Sequence, residues 1–296
     1  MKQLSRVPPA FVPFAIFVSL AVFLPAQEPP LPDFDAFTAQ VKKRLQTDAA
    51  LQAGYTFTER RVEQKLNASG QVVEEHVKVF EVYPSLPGEE PYRRLIEEDG
   101  TPVPAAELEK RDSAHQKKAE EYARDLAKQT ESDRQKAVRE YDKAMKERAA
   151  DIDDIFNVFD IRMTGRATIE GHQTITFTLT PKPKAKPRTD SGKVMQHFTA
   201  KVWISEAEYE LVRVEVEAVD TVTFGFGLLA RLHEGATLSY QRRKVNDEVW
   251  LPSRVTYAAS GRLLLVRRLR LAGSSEFSNY RKFSVDTTTT LDLPTQ

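Results

Sequence analysis

Alternating apolar and polar residues in the second half of the chain constrain its fold more than any other feature. In residues 174–180 (TITFTLT), Ile175, Phe177 and Leu179 alternate with threonine, and in residues 212–218 (VRVEVEA) apolar residues alternate with charged ones. A period of two places successive side chains on opposite faces of a strand, so each segment has one buried and one solvated face. Antiparallel sheets allow this arrangement, whereas parallel sheets are covered on both faces. The pattern therefore predicts an antiparallel sheet.

Similar strand patterns recur along most of the chain. Turn-forming residues separate several of them, for example at 99–100 (DG), 170–171 (EG) and 260–261 (SG). Together they indicate about ten or eleven strands connected in sequence. The predicted strands are 55–66, 72–83, 92–98, 174–180, 198–204, 212–218, 237–245, 249–259, 263–271 and 277–285.

One helix is predicted ahead of the first strand. Within residues 33–52, Phe34, Phe37, Val41 and Leu45 recur at helical spacing. Strands do not alternate with helices as they do in a parallel α/β protein. The fold class expected from these patterns is mainly β, of the α+β type, with an antiparallel sheet.

Residues 105–150 differ in composition from the strands on either side. Across this segment Ala, Glu, Lys, Arg and Asp dominate, which predicts helices with a narrow buried stripe. We interpret the segment as a charged helical insertion, and an arm that binds a partner protein is the alternative. Its six larger apolar residues are Leu108, Tyr122, Leu126, Val138, Tyr141 and Met145.

The first 26 residues have the features of an export signal. Lys2 and Arg6 precede the apolar run 10–24 (AFVPFAIFVSLAVFL), and Ala26 stands before polar residues. A basic start, an apolar run of about 15 residues and a small residue at the break are typical of a cleaved signal peptide. The run is short for a membrane span, which needs about 20 residues; an uncleaved anchor is the alternative. We expect cleavage near Ala26 and export to the periplasm.

Charge and cysteine content exclude several classes of protein. Once Lys2 and Arg6 are removed with the signal, acidic residues outnumber basic ones by two, whereas a nucleic-acid binder normally has a basic excess. The chain has no cysteine, which excludes disulfides, thiolate chemistry and the lipid-bearing cysteine of a bacterial lipoprotein. An exported chain without disulfides fits a bacterial periplasm. Because the chain has no basic excess, no nucleic-acid partner is expected.

No local pattern predicts catalysis, a metal site or a cofactor. Asp151, Asp153 and Asp154 form a carboxylate cluster, but we interpret them as the cap of a short helix that begins near Ile155. The chain lacks the Gly-x-Ser-x-Gly pentapeptide of a nucleophile elbow. We expect no enzyme, although a hydrolase with a dispersed site is an alternative. The five histidines, none paired at metal-ligand spacing, are His76, His115, His172, His197 and His233.

Residues 222–230 (VTFGFGLLA) carry no charge in a chain that is 29% charged. Gly225, Gly227 and Ala230 spell a dinucleotide-binding fingerprint, which needs a following helix that returns to a parallel strand. Gly235 ends any helix within about eight residues, so we reject this interpretation. The glycines fit a bend between two antiparallel strands. The segment is then either a buried connection or a rim that faces lipid.

A second apolar segment follows at residues 263–271. Its strand pattern places Leu263, Leu265, Leu269 and Leu271 on one face with Arg267 among them. Such a face suits a groove for an amphiphile, and a core strand with a snorkelling arginine is equally natural.

A Pro-rich basic loop is predicted at residues 181–188 (PKPKAKPR). Lys182, Lys184, Lys186 and Arg188 carry four positive charges with no acidic residue between them. An extended loop of this kind could contact anionic headgroups or an acidic partner. The alternative is a solvated hairpin connection.

Several short segments resemble the lipoprotein-carrier superfamily, that is, the LolA, LolB and RseB-like proteins, and in particular outer-membrane lipoprotein-sorting-like bacterial proteins. They are 200–205 (AKVWIS) with 211–215 (LVRVE), 245–253 (VNDEVWLPS) and 278–283 (SNYRKF). The resemblance covers most of residues 33–285. It implies a strongly curved antiparallel sheet, an incomplete barrel whose concave apolar face is covered by helices and can hold acyl chains. Residues 27–296 would form one such half-barrel domain, with the insertion 105–150 and a C-terminal tail 286–296.

The leading hypothesis is a periplasmic, non-enzymatic binder or carrier of lipid or lipoprotein acyl chains. Under this hypothesis the basic loop could make peripheral contact with a membrane. An envelope protein that senses or scaffolds through residues 105–150 is the alternative, with another envelope protein as its partner. The ligand-binding residues predicted by the hypothesis are Phe224, Phe226, Leu228, Leu229, Leu265 and Leu269.

Overall fold

The fold is described from a computed structural model of the chain. From Leu31 onward the described residues form one compact unit. The predicted signal peptide (1–26) and the predicted C-terminal tail (286–296) lie outside the described residues. The described ranges are 29–52, 54–84, 90–224, 230–263 and 267–282.

Four helices occur in the described residues: α1 (Phe34–Gln52), α2 (Ala105–Ala127), α3 (Glu131–Val158) and α4 (Asp190–Met195). Thr130 caps α3 through a capping box with Asp133, in which each side chain accepts a hydrogen bond from the other's backbone N–H. None of the described helices is long and apolar enough to cross a membrane.

Thirteen strands form one sheet, which is antiparallel throughout and open at its ends. The strand order is β4-β3-β2-β1-β13-β12-β11-β8-β7-β6-β5, and β9 and β10 pair with each other beside β12. The predicted fold class, an open antiparallel sheet with helices, is confirmed. The strands are β1 (Tyr55–Leu66), β2 (Val72–Tyr83), β3 (Tyr92–Glu98), β4 (Thr101–Pro102), β5 (Phe159–Ile169), β6 (His172–Pro181), β7 (Phe198–Ser205), β8 (Leu211–Ala218), β9 (Val222–Phe224), β10 (Ala230–Leu232), β11 (Thr237–Val245), β12 (Val249–Leu263) and β13 (Arg267–Lys282).

The strand count differs from the prediction for three reasons. β5 (Phe159–Ile169) was not predicted, although its apolar residues alternate from Phe159 to Met163. β4, β9 and β10 are two or three residues long, too short to show a period. The predicted strands 263–271 and 277–285 instead belong largely to one long strand, β13.

The turn predicted at residues 260–261 is wrong, because β12 continues through Gly261 to Leu263. A Cβ on Gly261 would lie 2.2 Å from the backbone oxygen of Arg231 on β10. This glycine therefore permits close approach of a neighbouring strand, the other common reason for glycine within a strand.

The cap predicted for Asp151, Asp153 and Asp154 is also wrong. Helix α3 begins at Glu131 and runs through all three residues to Val158, so no helix begins after them. The long helix stays continuous because the segment contains neither proline nor glycine. Asp154 is fully buried and has a different role, given below.

The main core lies between α1, the end of α3 and strands β5 to β7. Ile175 and Val158 are fully buried in it, and Phe37 and Phe177 are nearly so. Ile175 and Phe177 are apolar positions of the predicted strand 174–180, Phe37 belongs to the helical stripe in α1, and Val158 ends α3. The period of each element thus buries one face against the other.

Candidate functional site

An apolar cavity lies between the helices and the sheet, beside the main core. It has a volume of about 320 Å³. Among the lining residues that the structure describes, only Thr38 has a polar side chain, and its hydroxyl donates to the backbone oxygen of Phe34 in its own helix at 2.7 Å. The lining residues are Thr38, Val41 and Leu45 of α1; Ile155 and Phe156 of α3; Val194 and Met195 of α4; and Phe159, Ile161, Phe177, Leu179, Phe198, Ala200, Val202, Ile204, Leu211, Val214 and Val216 of β5 to β8.

Strand register forms the floor of this cavity. Residues that are directly opposite in neighbouring strands share a face of the sheet. Ile161 is opposite Leu179, Leu179 is opposite Ala200, and Ala200 is opposite Val216. We call the face that carries this row the cavity face.

Helix α1 forms part of the roof through aromatic contacts. Phe34 and Phe37 pack against Phe177, with ring centroids 6.3 and 5.9 Å apart. Phe37 also meets Tyr209 edge to face at 5.1 Å. Each ring buries a large apolar area, so α1 is held over β6 and the connection between β7 and β8 mainly by its apolar stripe.

Polar contacts fix α1 at its other end. Arg148 of α3 donates from Nε and Nη2 to the backbone oxygen of Leu45, at 3.3 and 2.9 Å. Arg44 lies 3.8 Å from Glu210, which also accepts from the buried Arg242 at 3.3 Å. Helices α1 and α3 therefore cannot move apart without losing charged hydrogen bonds.

Asp154 holds the remaining part of the roof in place. Its Oδ2 accepts hydrogen bonds from the backbone N–H groups of Arg188 and Thr189, both at 2.7 Å, and from the Thr189 hydroxyl at 3.0 Å. Thr189 is the N-cap of α4, and its hydroxyl accepts from Gly192 N. A buried carboxylate in α3 thus positions the short helix α4, whose Val194 and Met195 line the cavity.

The protonation state of Asp154 follows from these contacts. Burial alone would raise the pKa of its carboxyl, but hydrogen bonds from Thr189, Asn157 and Arg188 outweigh that cost and lower the pKa. The group is therefore charged at neutral pH. No positively charged partner is needed, because backbone N–H donors stabilise the anion.

The predicted basic loop lies next to this roof. The Nζ of Lys182 donates to the backbone oxygen of Phe156 at 2.9 Å, and the backbone oxygen of Lys186 accepts from Asn157 at 2.8 Å. Both contacts tie the loop to the end of α3. Lys184 and Lys186 are exposed. Their charges are therefore available to solvent close to the cavity.

Most of the predicted ligand-binding residues lie outside the described residues. This applies to Phe226, Leu228, Leu229 and Leu265. The backbone of Phe224 belongs to β9, where it is opposite Ala230 of β10. The two strands are antiparallel, and the glycines between them, at which a bend is expected, lie outside the described residues.

Leu269 lies on the cavity face but not in the cavity. The cavity row continues from Val216 to Leu238, then to Tyr257 and Gly273. Leu269 is four residues from Gly273 in the same strand, so it shares that face. Leu238 and Leu271 are 42% and 39% exposed. The cavity face therefore remains partly apolar and open beyond the cavity.

Some of the residues that line the cavity were predicted from the sequence as buried core positions. The alternating residues of β6 and β8 and the stripe of α1 supply much of the floor and roof. Val194 and Met195 of α4 were missed, because a six-residue helix has too few turns to show a period. The neighbouring basic loop was the only local signal for this part of the roof.

The described residues contain no group of three or more His, Asp or Glu side chains that could hold a metal ion. What the cavity offers chemically is apolar surface with hydrogen-bonding groups at its margins.

No protein-family model and no curated protein matches the chain. Among solved structures, it is similar to an outer membrane lipoprotein-sorting protein domain from Vibrio parahaemolyticus, with 11% identity, coverage of 83% of this chain and 90% of that one, and a TM-score of 0.31. A LolA superfamily protein from Nitrosomonas europaea has 7% identity, 83% and 94% coverage, and a TM-score of 0.28. The MucA/MucB complex from Pseudomonas aeruginosa gives 8% identity, 84% and 99% coverage, and a TM-score of 0.24. The set includes the superfamily that the sequence resembles. At identities and TM-scores this low, nothing about the cavity or its ligand follows from these similarities.

Proposed function

We propose that this protein binds the acyl chains of a lipid or a lipoprotein in the cavity between α1, α3, α4 and strands β5 to β8. The observation that carries the proposal is the lining, which is apolar on every side among the described residues. A volume of about 320 Å³ falls within the range of small-ligand sites, roughly 300 to 1,000 Å³. Burial of each chain methylene contributes about 0.8 kcal/mol, so affinity grows with the number of methylenes enclosed.

The residues predicted from the sequence extend this proposal. Leu269 shares the cavity face, and the exposed Leu238 and Leu271 continue it. A chain longer than the cavity would leave it along this face. We propose that Phe224, Phe226, Leu228, Leu229 and Leu265 form a rim for such a chain.

We further propose that the protein acts in the periplasm, after cleavage of the signal near Ala26, and that it carries its ligand without chemical change. The basic loop at residues 181–188 would touch anionic headgroups while the cavity next to it receives a chain. The apolar lining offers no group that would act on a bound chain.

Ligand retention and displacement test the proposal. Mass spectrometry of the protein purified from a periplasmic extract should detect a co-purified acyl lipid, and the delipidated protein should bind a fluorescent fatty acid that other acyl lipids displace. Ala200→Phe fills the cavity floor and should weaken binding at least tenfold. Thr199→Phe, on the opposite face of the same strand, is the matched control and should leave binding unchanged. Absence of both a retained lipid and fatty-acid binding would overturn the proposal.

The rim has its own test. Polar substitution of Phe226 and Leu229 together should remove lipid binding while leaving the thermal unfolding transition in place. If these substitutions unfold the protein, the segment 225–229 is a buried connection, and the ligand is confined to the cavity.

A second candidate function is binding of another envelope protein through the helical insertion. Val138, Tyr141 and Met145 of α3 are 59%, 65% and 36% exposed and lie on one face of the helix. A photo-reactive amino acid at position 141 should crosslink one defined envelope protein in cells. Val138→Ser should abolish this crosslink, whereas Arg139→Ser should preserve it. If both variants crosslink many proteins without a defined partner, acyl-chain binding is the sole remaining candidate.

A further inference from the structure

The cavity face changes character at the far end of the sheet, in strands β1, β2, β3 and β13. Glu59 of β1 is 2% exposed there. Its Oε1 accepts from Arg61 Nε at 3.0 Å, from Arg61 Nη2 at 2.8 Å and from the Ser275 hydroxyl at 2.9 Å. Its Oε2 accepts from Arg93 Nε at 3.1 Å. A single buried carboxylate therefore orients two arginines.

Glu59 is ionised at neutral pH in the folded protein. Burial alone would raise its pKa, but the hydrogen bonds from Arg61, Ser275 and Arg93 outweigh burial and lower it. The guanidinium of Arg61 also lies over the ring of Phe80, with 5.3 Å between Cζ and the ring centroid. Stacking and hydrogen bonding together leave Arg61 little freedom to rotate.

Both arginines keep unused donors that reach solvent. The side chains of Arg61 and Arg93 are 31% and 37% exposed. Arg93 is bonded to Glu59 only through Nε, and its two Nη atoms donate to no residue that the structure describes. The Nη1 of Arg61 is 3.9 Å from Glu63, too far for a hydrogen bond. Glu63 is itself shared with Lys78, also at 3.9 Å.

This cluster lies on the same face as the cavity. Val214, which lines the cavity, is opposite Tyr240, Tyr240 is opposite Val255, Val255 is opposite Ser275, and Ser275 is opposite Arg61. Four strand spacings of about 4.8 Å separate the two ends, or roughly 19 Å along the sheet. The residues between are apolar, aromatic or small. The face thus changes from apolar to charged along the path that a chain longer than the cavity would follow.

We propose that Arg61 and Arg93, oriented by Glu59, bind the anionic headgroup of the amphiphile whose chain occupies the cavity. The inference rests on the proposed acyl-chain binding and specifies the ligand class: a long-chain carboxylate or phosphate. Guanidinium groups bind both anions with paired hydrogen bonds. Lys78 belongs to the same cluster, in which Arg61, Arg93 and Lys78 balance the charges of Glu59, Glu63 and Glu98. The anion is therefore held by hydrogen bonds from the unused Nη donors of Arg93, and not by a net positive charge.

The test compares anionic and neutral amphiphiles on matched variants. Binding of palmitate, hexadecyl phosphate and monopalmitoylglycerol to the purified protein is measured by calorimetry, with glycerol 3-phosphate as a headgroup without a chain. Arg93→Gln should weaken the two anionic amphiphiles about 10- to 100-fold, as expected for a charged hydrogen bond, and leave monopalmitoylglycerol unchanged. Arg93→Lys should lose less.

Arg94→Gln is the matched control. Arg94 is the next residue in β3, points to the opposite face and is bonded to Asp112 and Glu81. This substitution should leave all affinities unchanged.

The outcomes are distinguishable. If the unmodified protein binds monopalmitoylglycerol as tightly as palmitate, or if Arg93→Gln weakens both equally, the headgroup site is overturned while acyl-chain binding survives. If glycerol 3-phosphate binds as tightly as hexadecyl phosphate, the arginines hold a free anion and the headgroup assignment is overturned. If no amphiphile binds, acyl-chain binding itself fails.

Discussion

The two ends of one sheet present the same face to different partners. Around β5 to β8 the cavity face is apolar, and α1, the end of α3 and α4 cover it. Around β1 to β3 it carries Glu59, Arg61 and Arg93, and helix α2 packs on the opposite face. There His115 of α2 stacks on Tyr92 of β3 at 4.0 Å, and Asp112 binds Arg94.

The two ends of the sheet are therefore stabilised in different ways. At the apolar end, most of the stability comes from area removed from water, which does not depend on pH, and only Asp154 in the roof adds a contribution that does. At the charged end, one buried carboxylate must keep its donors, so stability depends on pH and on individual atoms. Helix placement explains this difference, because α1, α3 and α4 cover the cavity face at the apolar end only.

The largest effect is expected from deleting buried volume at the apolar end. Ile175 is fully buried in the main core, so Ile175→Ala should lower the free energy of unfolding by about 2 to 5 kcal/mol. Urea denaturation measures this loss. Leu238→Ala, on the same face but 42% exposed, is the control and should change stability by no more than about 0.5 kcal/mol. Equal losses would mean that the open part of the face is also packed.

A smaller effect is expected from neutralising the charged end. Glu59→Gln keeps the shape of the side chain but replaces one charged acceptor oxygen by an amide group that cannot accept from the arginines. The loss should be about 1 to 2 kcal/mol, because Arg61 and Arg93 recover part of their hydration. Urea midpoints of Glu59→Gln and of Glu74→Gln, an exposed carboxylate in β2, give the comparison. An unchanged midpoint for Glu59→Gln would show that the network orients side chains without stabilising the fold.

Acid should act on both ends through one buried carboxylate in each. The pKa values of Glu59 and Asp154 are lowered in the folded protein, whereas unfolded Glu and Asp titrate near about 4.3 and 3.9. Their contribution is complete above those values and is lost as pH falls through the lower folded pKa values, because the unfolded state then binds more protons.

Unfolding free energies measured between pH 7 and pH 3 check this dependence. They should fall below about pH 4. The double variant Glu59→Gln/Asp154→Asn should be less stable at neutral pH and should show a shallower decline in acid. A decline as steep as that of the unmodified protein would assign acid sensitivity to other carboxylates.

The apolar end could be predicted from the sequence to a larger extent than the charged end. One-sided burial leaves a period in the sequence, so Phe177, Leu179, Val214 and the stripe of α1 were identified as buried positions. Their assembly into a cavity depends on register and on α4, which local patterns do not record. The basic loop predicted at residues 181–188 lies beside the cavity, but it was identified by its charge and not by a period in the sequence.

The charged end could not be predicted, because its residues are ordinary surface types in a strand. Glu59 is buried only because Arg93, 34 residues away, and Ser275, 216 residues away, donate to it. Asp154 was misassigned for the same reason, since its partners Arg188 and Thr189 belong to another loop. A residue's burial here follows from long-range pairing, which no window of sequence contains. The ligand residues proposed for 224–229, Leu265 and Leu269 stay predictions.

The smallest effect is expected at the basic loop, where solvated charges act at a distance. Each of Lys184 and Lys186 should contribute about 1 kcal/mol to binding at an anionic membrane surface. Sedimentation with phosphatidylglycerol vesicles should show weaker binding for Lys184→Gln and Lys186→Gln, and weaker binding of the unmodified protein as salt rises. Lys128→Gln is the control. Lys128 is exposed, and it lies in the connection between α2 and α3, far from the basic loop in sequence. If it weakens binding as much as Lys186→Gln does, the interaction is a general charge effect. If it does not, the membrane contact is local to the loop that Asp154 ties to α4, and a bound membrane would then lie against the roof of the cavity.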